Sequence, residues 1–217
     1  MIRPLRIAAL ACCFALLISS AASAAQMDAR EKPSVKGPLT TSDELKNCKS
    51  KRQRSDGELV ARFKVCTSYY IFDPTQETNA NRDYGAYWIQ VNINSTNGWC
   101  SRVVKTNLSL PNGVHQKAPK PGTSVKRGRV RSYTTKLRVD AQGAAVDNGV
   151  IKNSVRLWPG RLRAVTRNNG NTYRLRWAGN SAAKLAFAAG LELSWAAGES
   201  PPTVNSAVRA LFREGGC

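Results

Sequence analysis

The strongest constraint on the fold is a period of two that runs without interruption from Leu59 to Ile71. Leu59, Ala61, Phe63, Val65, Thr67, Tyr69 and Ile71 alternate with Val60, Arg62, Lys64, Cys66, Ser68 and Tyr70. Successive side chains of an extended strand point to opposite faces, whereas a helix repeats every three or four residues, so this pattern predicts a half-buried strand. The same signature recurs at Tyr87, Ile89, Val91 and Ile93, along Val130 to Val139, and at Leu185, Phe187, Ala189, Leu191, Leu193 and Trp195. Cys100 to Leu110 and Val150 to Trp158 read as further strands. Asn94-Ser95-Thr96-Asn97-Gly98, Asp147-Asn148-Gly149 and Pro159-Gly160 supply turns between them. Closely spaced strands with turn signals predict an antiparallel β-sandwich or barrel of about 7–9 strands.

The sharpest local expectation concerns Arg161–Trp177. Asn169-Gly170 offers two residues that tolerate positive φ, as a type I′ hairpin turn requires. That turn fixes the register. Thr166 then faces Tyr173, Ala164 faces Leu175 and Leu162 faces Trp177 on one apolar side. On the other side Arg167 faces Thr172, Val165 faces Arg174 and Arg163 faces Arg176. Like charges directly opposite destabilise a sheet, so this side must meet solvent or an anion.

Residues 58–217 are expected to form one disulfide-stabilised β domain, preceded by a loose polar arm over 25–57. The arm ends in a basic cluster, Lys46 to Arg54, around Cys48. Residues 111–128 read as a long Pro/Gly/Lys loop. The C-terminus predicts a short α-helix over about 201–214, with Val204, Ala207, Val208, Leu211 and Phe212 on one face and Gly215-Gly216 as its stop.

The N-terminus predicts a secretory signal. Arg3 and Arg6 precede an apolar run from Ile7 to Ile18 and an Ala22-Ser23-Ala24 site, so residues 1–24 are expected to be removed near Ala24. The run is shorter than the roughly 20 apolar residues a membrane span needs, and no later segment is long and apolar enough. The mature chain would keep Cys48, Cys66, Cys100 and Cys217 in an oxidising extracellular or periplasmic space, where two disulfides are the expectation. Four cysteines allow three pairings. Because Cys66 and Cys100 both fall in strands, the expected bridges are Cys66–Cys100 and Cys48–Cys217.

Charge narrows the partners. The chain carries 33 basic and 14 acidic residues, and removal of Arg3 and Arg6 leaves 31 − 14 = +17. Residues 84–191 hold 18 basic residues against Asp140 and Asp147 alone, whereas residues 25–83 are nearly balanced at 11 against 9. Such a field favours anionic partners. The candidate anion-binding residues are Arg161, Arg163, Arg167, Arg174 and Arg176 of the hairpin, with Lys117, Lys120, Lys126, Arg127 and Arg129 of the long loop.

Other chemistry finds little footing. His115 is the chain's one histidine and has no carboxylate nearby in sequence, so neither a catalytic triad nor a histidine metal site is expected. Asp140, Asp147 and Glu192 are the acids a hydrolase could use, without a motif to support them. The loop Asp73 to Asp83 spaces oxygen ligands like the start of a calcium loop but lacks the mid-loop glycine and closing glutamate. Asn94-Ser95-Thr96 and Asn107-Leu108-Ser109 match the glycosylation pattern without an expectation of use. Trp88 falls among Gln90, Asn92 and Asn94 and reads as exposed; Trp158, Trp177 and Trp195 read as core. No cofactor is expected. The reading is a secreted, strongly basic β-domain that binds an extracellular or envelope polyanion: phosphate polymers, acidic glycans or extracellular nucleic acid. The alternatives are a module that docks on an acidic protein, and a secreted hydrolase.

Overall fold

The structure is a computed structural model that describes residues 34–37, 39–40, 47–73, 79–96, 98–112, 114–122, 125–127, 131–139, 149–157, 159–167, 171–181, 184–215 and 217. The expected signal at 1–24 lies outside the described residues. The strands are Ser34–Lys36 (β1), Leu39–Thr40 (β2), Asn47–Ser55 (β3), Glu58–Phe72 (β4), Arg82–Ser95 (β5), Trp99–Ser109 (β6), His115–Lys120 (β7), Val125–Arg127 (β8), Arg131–Val139 (β9), Gly149–Leu157 (β10), Gly160–Arg167 (β11), Thr172–Ser181 (β12), Leu185–Ala196 (β13) and Asn205–Glu214 (β14). All pairings are antiparallel.

They form three sheets. A six-stranded sheet runs β2-β4-β5-β13-β7, with β3 also paired to β4; a five-stranded sheet runs β14-β6-β12-β11-β8; a three-stranded sheet runs β1-β10-β9. The expected mainly-β antiparallel fold is therefore present, with more strands than the alternation alone suggested. Apart from β14, the extra ones are short or polar and carry little periodic signal.

Two apolar layers hold the sheets together. The first lies between the six- and five-stranded sheets and includes Phe63, Ile89, Val91, Ile93, Leu108, Leu162, Tyr173, Leu175, Trp177 and Phe187. The second lies on the opposite face of the six-stranded sheet, where Tyr70, Phe72, Tyr84, Trp88 and Ala188 pack against Leu137, Val139 and Ile151 of the three-stranded sheet. The six-stranded sheet is the middle layer. Its strand β5 is consequently buried at every position from Tyr84 to Val91.

This layering corrects the reading of Trp88, which is 1% exposed. Sequence placed it on a polar face, but β9 and β10 cover that face. Gly190 of β13 makes room for the ring: a Cβ there would stand 2.6 Å from Trp88 Cε3 and 3.0 Å from Leu137 Cδ2. The Thr135 hydroxyl donates to the Ala188 carbonyl at 3.1 Å and ties the small sheet down.

The C-terminal helix is also corrected. Residues 205–214 form β14, antiparallel to β6. Val208, Ala210 and Phe212 pack on the first layer, and Phe212 meets Phe63 edge-on at 5.8 Å between centroids. Leu211, which the helical face would have buried, is 61% exposed. Period-two and period-four patterns overlap in this stretch, and the free edge of β6 decides between them by offering a ladder of backbone hydrogen bonds.

The segment 25–57, expected as a loose arm, contributes β1, β2 and β3 to two sheets where it is described. Likewise the loop expected over 111–128 contains β7 and β8. The buried Tyr173 hydroxyl donates to the Pro121 carbonyl at 2.8 Å, between these two strands.

Both bridges differ from the expected pairing. The structure joins Cys48 to Cys66, directly opposite each other on β3 and β4, and Cys100 to Cys217. The reason is the two strand pairings that sequence did not reveal. β3 lies beside β4 and presents Cys48 to Cys66, while β14 runs back along β6 and delivers Cys217 to Cys100. Disulfides fit an oxidising, extracellular-type environment. No helix among the described residues is long and apolar enough to cross a membrane.

Candidate anion-binding site

The register of the β11–β12 hairpin is the one the turn predicted, with Leu162 opposite Trp177, Ala164 opposite Leu175 and Arg163 opposite Arg176. Leu162, Leu175 and Trp177 enter the core, so Arg161, Arg163, Arg167, Arg174 and Arg176 are exposed on the outer face. Residues 168–170 at the turn lie outside the described residues.

The neighbouring strands extend this face beyond the hairpin. Arg176 lies opposite Lys105 of β6, and Lys105 lies opposite Arg209 of β14. One row perpendicular to the strands therefore reads Arg209, Lys105, Arg176, Arg163. Strands are about 4.8 Å apart, so the row spans roughly 14 Å with one cation per strand. The next row reads Ala207, Asn107, Arg174, Val165, and the one beyond places Thr172 beside Arg167. These side chains line a groove of about 440 Å³, bounded by Lys105, Asn107, Val165 and the five arginines 163, 167, 174, 176 and 209, with Leu175 at its floor. Among the described residues that line it there is no carboxylate and no aromatic ring.

The remaining candidates divide between sheets. Lys126 of β8 pairs with Arg161 and Arg127 with Gly160, so both belong to the edge of the five-stranded sheet. Lys117 and Lys120 lie on β7 at the edge of the six-stranded sheet, opposite Glu192 and Gly190. Their strand belongs to a different sheet from the strands that form the groove. Arg129 lies outside the described residues.

A second basic groove was not legible from local charge. On the outer face of the six-stranded sheet, Arg52 lies opposite Arg62 and Arg62 opposite Asn94; Ser50 lies opposite Lys64 and Lys64 opposite Asn92. These residues, with Lys51 and Lys184, border a groove of about 530 Å³ whose floor is the backbone at Phe63, Ile93 and Leu185. One signal was available. Asp56-Gly57 is a strong hairpin dipeptide, and both residues adopt positive φ, 48° and 83°. It folds the basic cluster of β3 onto β4.

Of the three acids a hydrolase could use, one is described. Glu192 is 4% exposed within β13, and Asp140 and Asp147 lie outside the described residues. His115 begins β7. Among the described residues no three His, Cys, Asp or Glu side chains group as a metal site. Of the Asp73 to Asp83 loop, residues 74–78 lie outside the described residues. Trp158 does too. Three buried phenols are shifted upward: desolvation pushes Tyr70 up to about 12, and desolvation with the neighbouring Tyr87 raises Tyr69. Tyr87 is raised mainly by burial. All three hold their protons at neutral pH.

No protein-family model matches the chain, and no curated protein matches it. Among solved structures, the membrane-inserted form of the NetB toxin of Clostridium perfringens is similar over 78% of this chain and 96% of that chain, at 8% identity and a TM-score of 0.35. A likeness at that level carries no argument about function.

Proposed function

We propose that this chain is a secreted domain that binds linear anionic polymers through the outer face of its five-stranded sheet. The observation that carries the reading is the row Arg209, Lys105, Arg176, Arg163, in which four adjacent strands each place a cation opposite the next. Cross-strand like charges cost stability, and among the described residues no carboxylate lines the groove to offset them. A chain of phosphate, sulfate or carboxylate groups laid across the strands would. Guanidinium groups bind such oxyanions with two parallel hydrogen bonds, and three of the four cations in the row are arginines. Single-stranded nucleic acid is commonly held by aromatic platforms as well as charge. The described lining residues of the groove include no ring, which favours base-free polymers, envelope phosphate polymers or acidic glycans, over nucleic acid.

Binding of inorganic polyphosphate, heparin and a single-stranded oligonucleotide by fluorescence anisotropy, over a fourfold rise in salt, tests the proposal. Single-stranded polyanions lose about 0.7 in the log–log salt slope per contact, so six engaged cations predict an affinity loss of roughly 300-fold. The combined substitution Lys105→Gln, Arg163→Gln, Arg176→Gln and Arg209→Gln should flatten the slope and weaken binding by at least about 100-fold. Affinity independent of salt would overturn the reading. Capture of an acidic protein that persists after polymer digestion would replace it with protein docking.

A further inference from the structure

We infer that the domain is bivalent, with a second polyanion site on the opposite side of the sandwich, so that it cross-links polymer chains rather than coating them. The inference rests on the proposed binding of anionic polymers. The second site is the groove bordered by Arg52, Arg62, Lys64, Lys184, Asn92 and Asn94.

Its placement follows from the layering. The two grooves have floors whose side chains point into the same core: Leu175 beneath the first, and Phe63, Ile93 and Leu185 beneath the second. Their mouths must therefore face away from each other across two sheets. Packed sheets stand about 10 Å apart, so a polymer segment seated in one groove reaches the other only by passing around a sheet edge. Neighbouring molecules of polymer meet no such obstacle.

The chemistry of the second groove is that of the first in a milder form. Arg52 opposes Arg62 directly, which again places guanidinium groups together, with no carboxylate among the described lining residues. Asn92 and Asn94 complete the rows and add amide donors to the charged ones. Among the described residues the three-stranded sheet covers only the other end of this face, where Tyr70, Phe72 and Trp88 lie, and Arg52, Arg62 and Lys64 are exposed. The Cys48–Cys66 bridge pins β3 to β4 and so fixes the wall that carries Arg52. A preorganised wall reduces the ordering cost of binding.

The test uses the mature chain and two probes, a short polyphosphate and a long one. Two short chains should bind per protein by calorimetry. With the long polymer, light scattering should rise to a maximum near equivalence and fall again in polymer excess, as cross-linking requires. Arg62→Gln with Lys64→Gln, and separately Arg163→Gln with Arg176→Gln, should each reduce the stoichiometry to one. Each should also abolish most of the scattering, by about tenfold or more, with the far-UV spectrum unchanged. Lys136→Gln with Arg138→Gln removes the same charge from the exposed face of β9 and should preserve scattering. One short chain per wild-type protein, or equal loss of scattering in the β9 control, overturns bivalency while leaving polymer binding intact. Absence of binding by the wild-type chain at low salt overturns the underlying function as well.

Discussion

The β11–β12 and β3–β4 hairpins both turn cations outward, yet their surroundings make them different. β11–β12 sits within a sheet whose outer face carries no covering sheet among the described residues, and its charges join those of β6 and β14 in one row of four. β3–β4 sits at the edge of the middle layer, where the three-stranded sheet occupies part of the outer face and the groove of Arg52, Arg62 and Lys64 takes up another part. The first hairpin is held by strands on both sides, β6 and β8. In the second, β3 is held by β4 and by a disulfide. In both places neighbouring strands or a covalent bridge supply stability against the self-repulsion of the basic face.

Cutting each bridge is the largest perturbation of that contrast. Cys100→Ser with Cys217→Ser opens a loop of 117 residues, and Cys48→Ser with Cys66→Ser one of 18. Chain-entropy scaling gives losses of about 5 and about 3 kcal/mol respectively. Urea denaturation of the two double variants should show this order; the smaller loss at Cys100–Cys217 would mean that β14 docks independently of its tether. The second double variant should also weaken the β3–β4 groove selectively.

A smaller effect is expected at the second hairpin's turn. Gly57 has φ 83°, and a branched side chain there strains the backbone by about 1–2 kcal/mol. Gly57→Val should lower the thermal midpoint and impair the groove that contains Arg52, while leaving salt-dependent binding at the β11–β12 face. Loss of both together would show that the hairpins are energetically one unit.

The smallest effects separate the two faces by charge alone. Arg176 has like-charged neighbours on both sides, Lys105 and Arg163, whereas Arg62 has Arg52 on one side and Asn94 on the other. Arg176→Gln should therefore stabilise the unliganded protein at low salt by about 0.5 kcal/mol, and Arg62→Gln by less. Added salt should erase both gains. A destabilised Arg176→Gln would indicate that its stem, rather than its charge, is what the sheet uses.

How much of this was legible varies with the kind of signal. Asn169-Gly170 fixed the first hairpin's register because a two-residue turn and an alternating face leave one compatible pairing. Asp56-Gly57 carried the same information, yet β3 is exposed along nearly its whole length, so alternation was absent and the segment read as an arm. The second groove was hidden by averaging as well. Residues 25–83 are almost neutral in sum, but strand register brings Arg52, Arg62 and Lys64 together. Linear charge density reports what is near along the chain, whereas a sheet gathers residues by register.

The amino-acid sequence alone determined that the chain is mainly β and strongly basic, and that the arginines of one hairpin share a face, because alternation, turn chemistry and composition act locally. Only the tertiary structure decided which cysteines pair, that the C-terminal segment is a strand, that Trp88 is core, and that a second basic groove faces away from the first. Each of those depends on which distant strand lies alongside, and edge hydrogen bonding and sheet-on-sheet burial leave no fixed spacing in the chain to read.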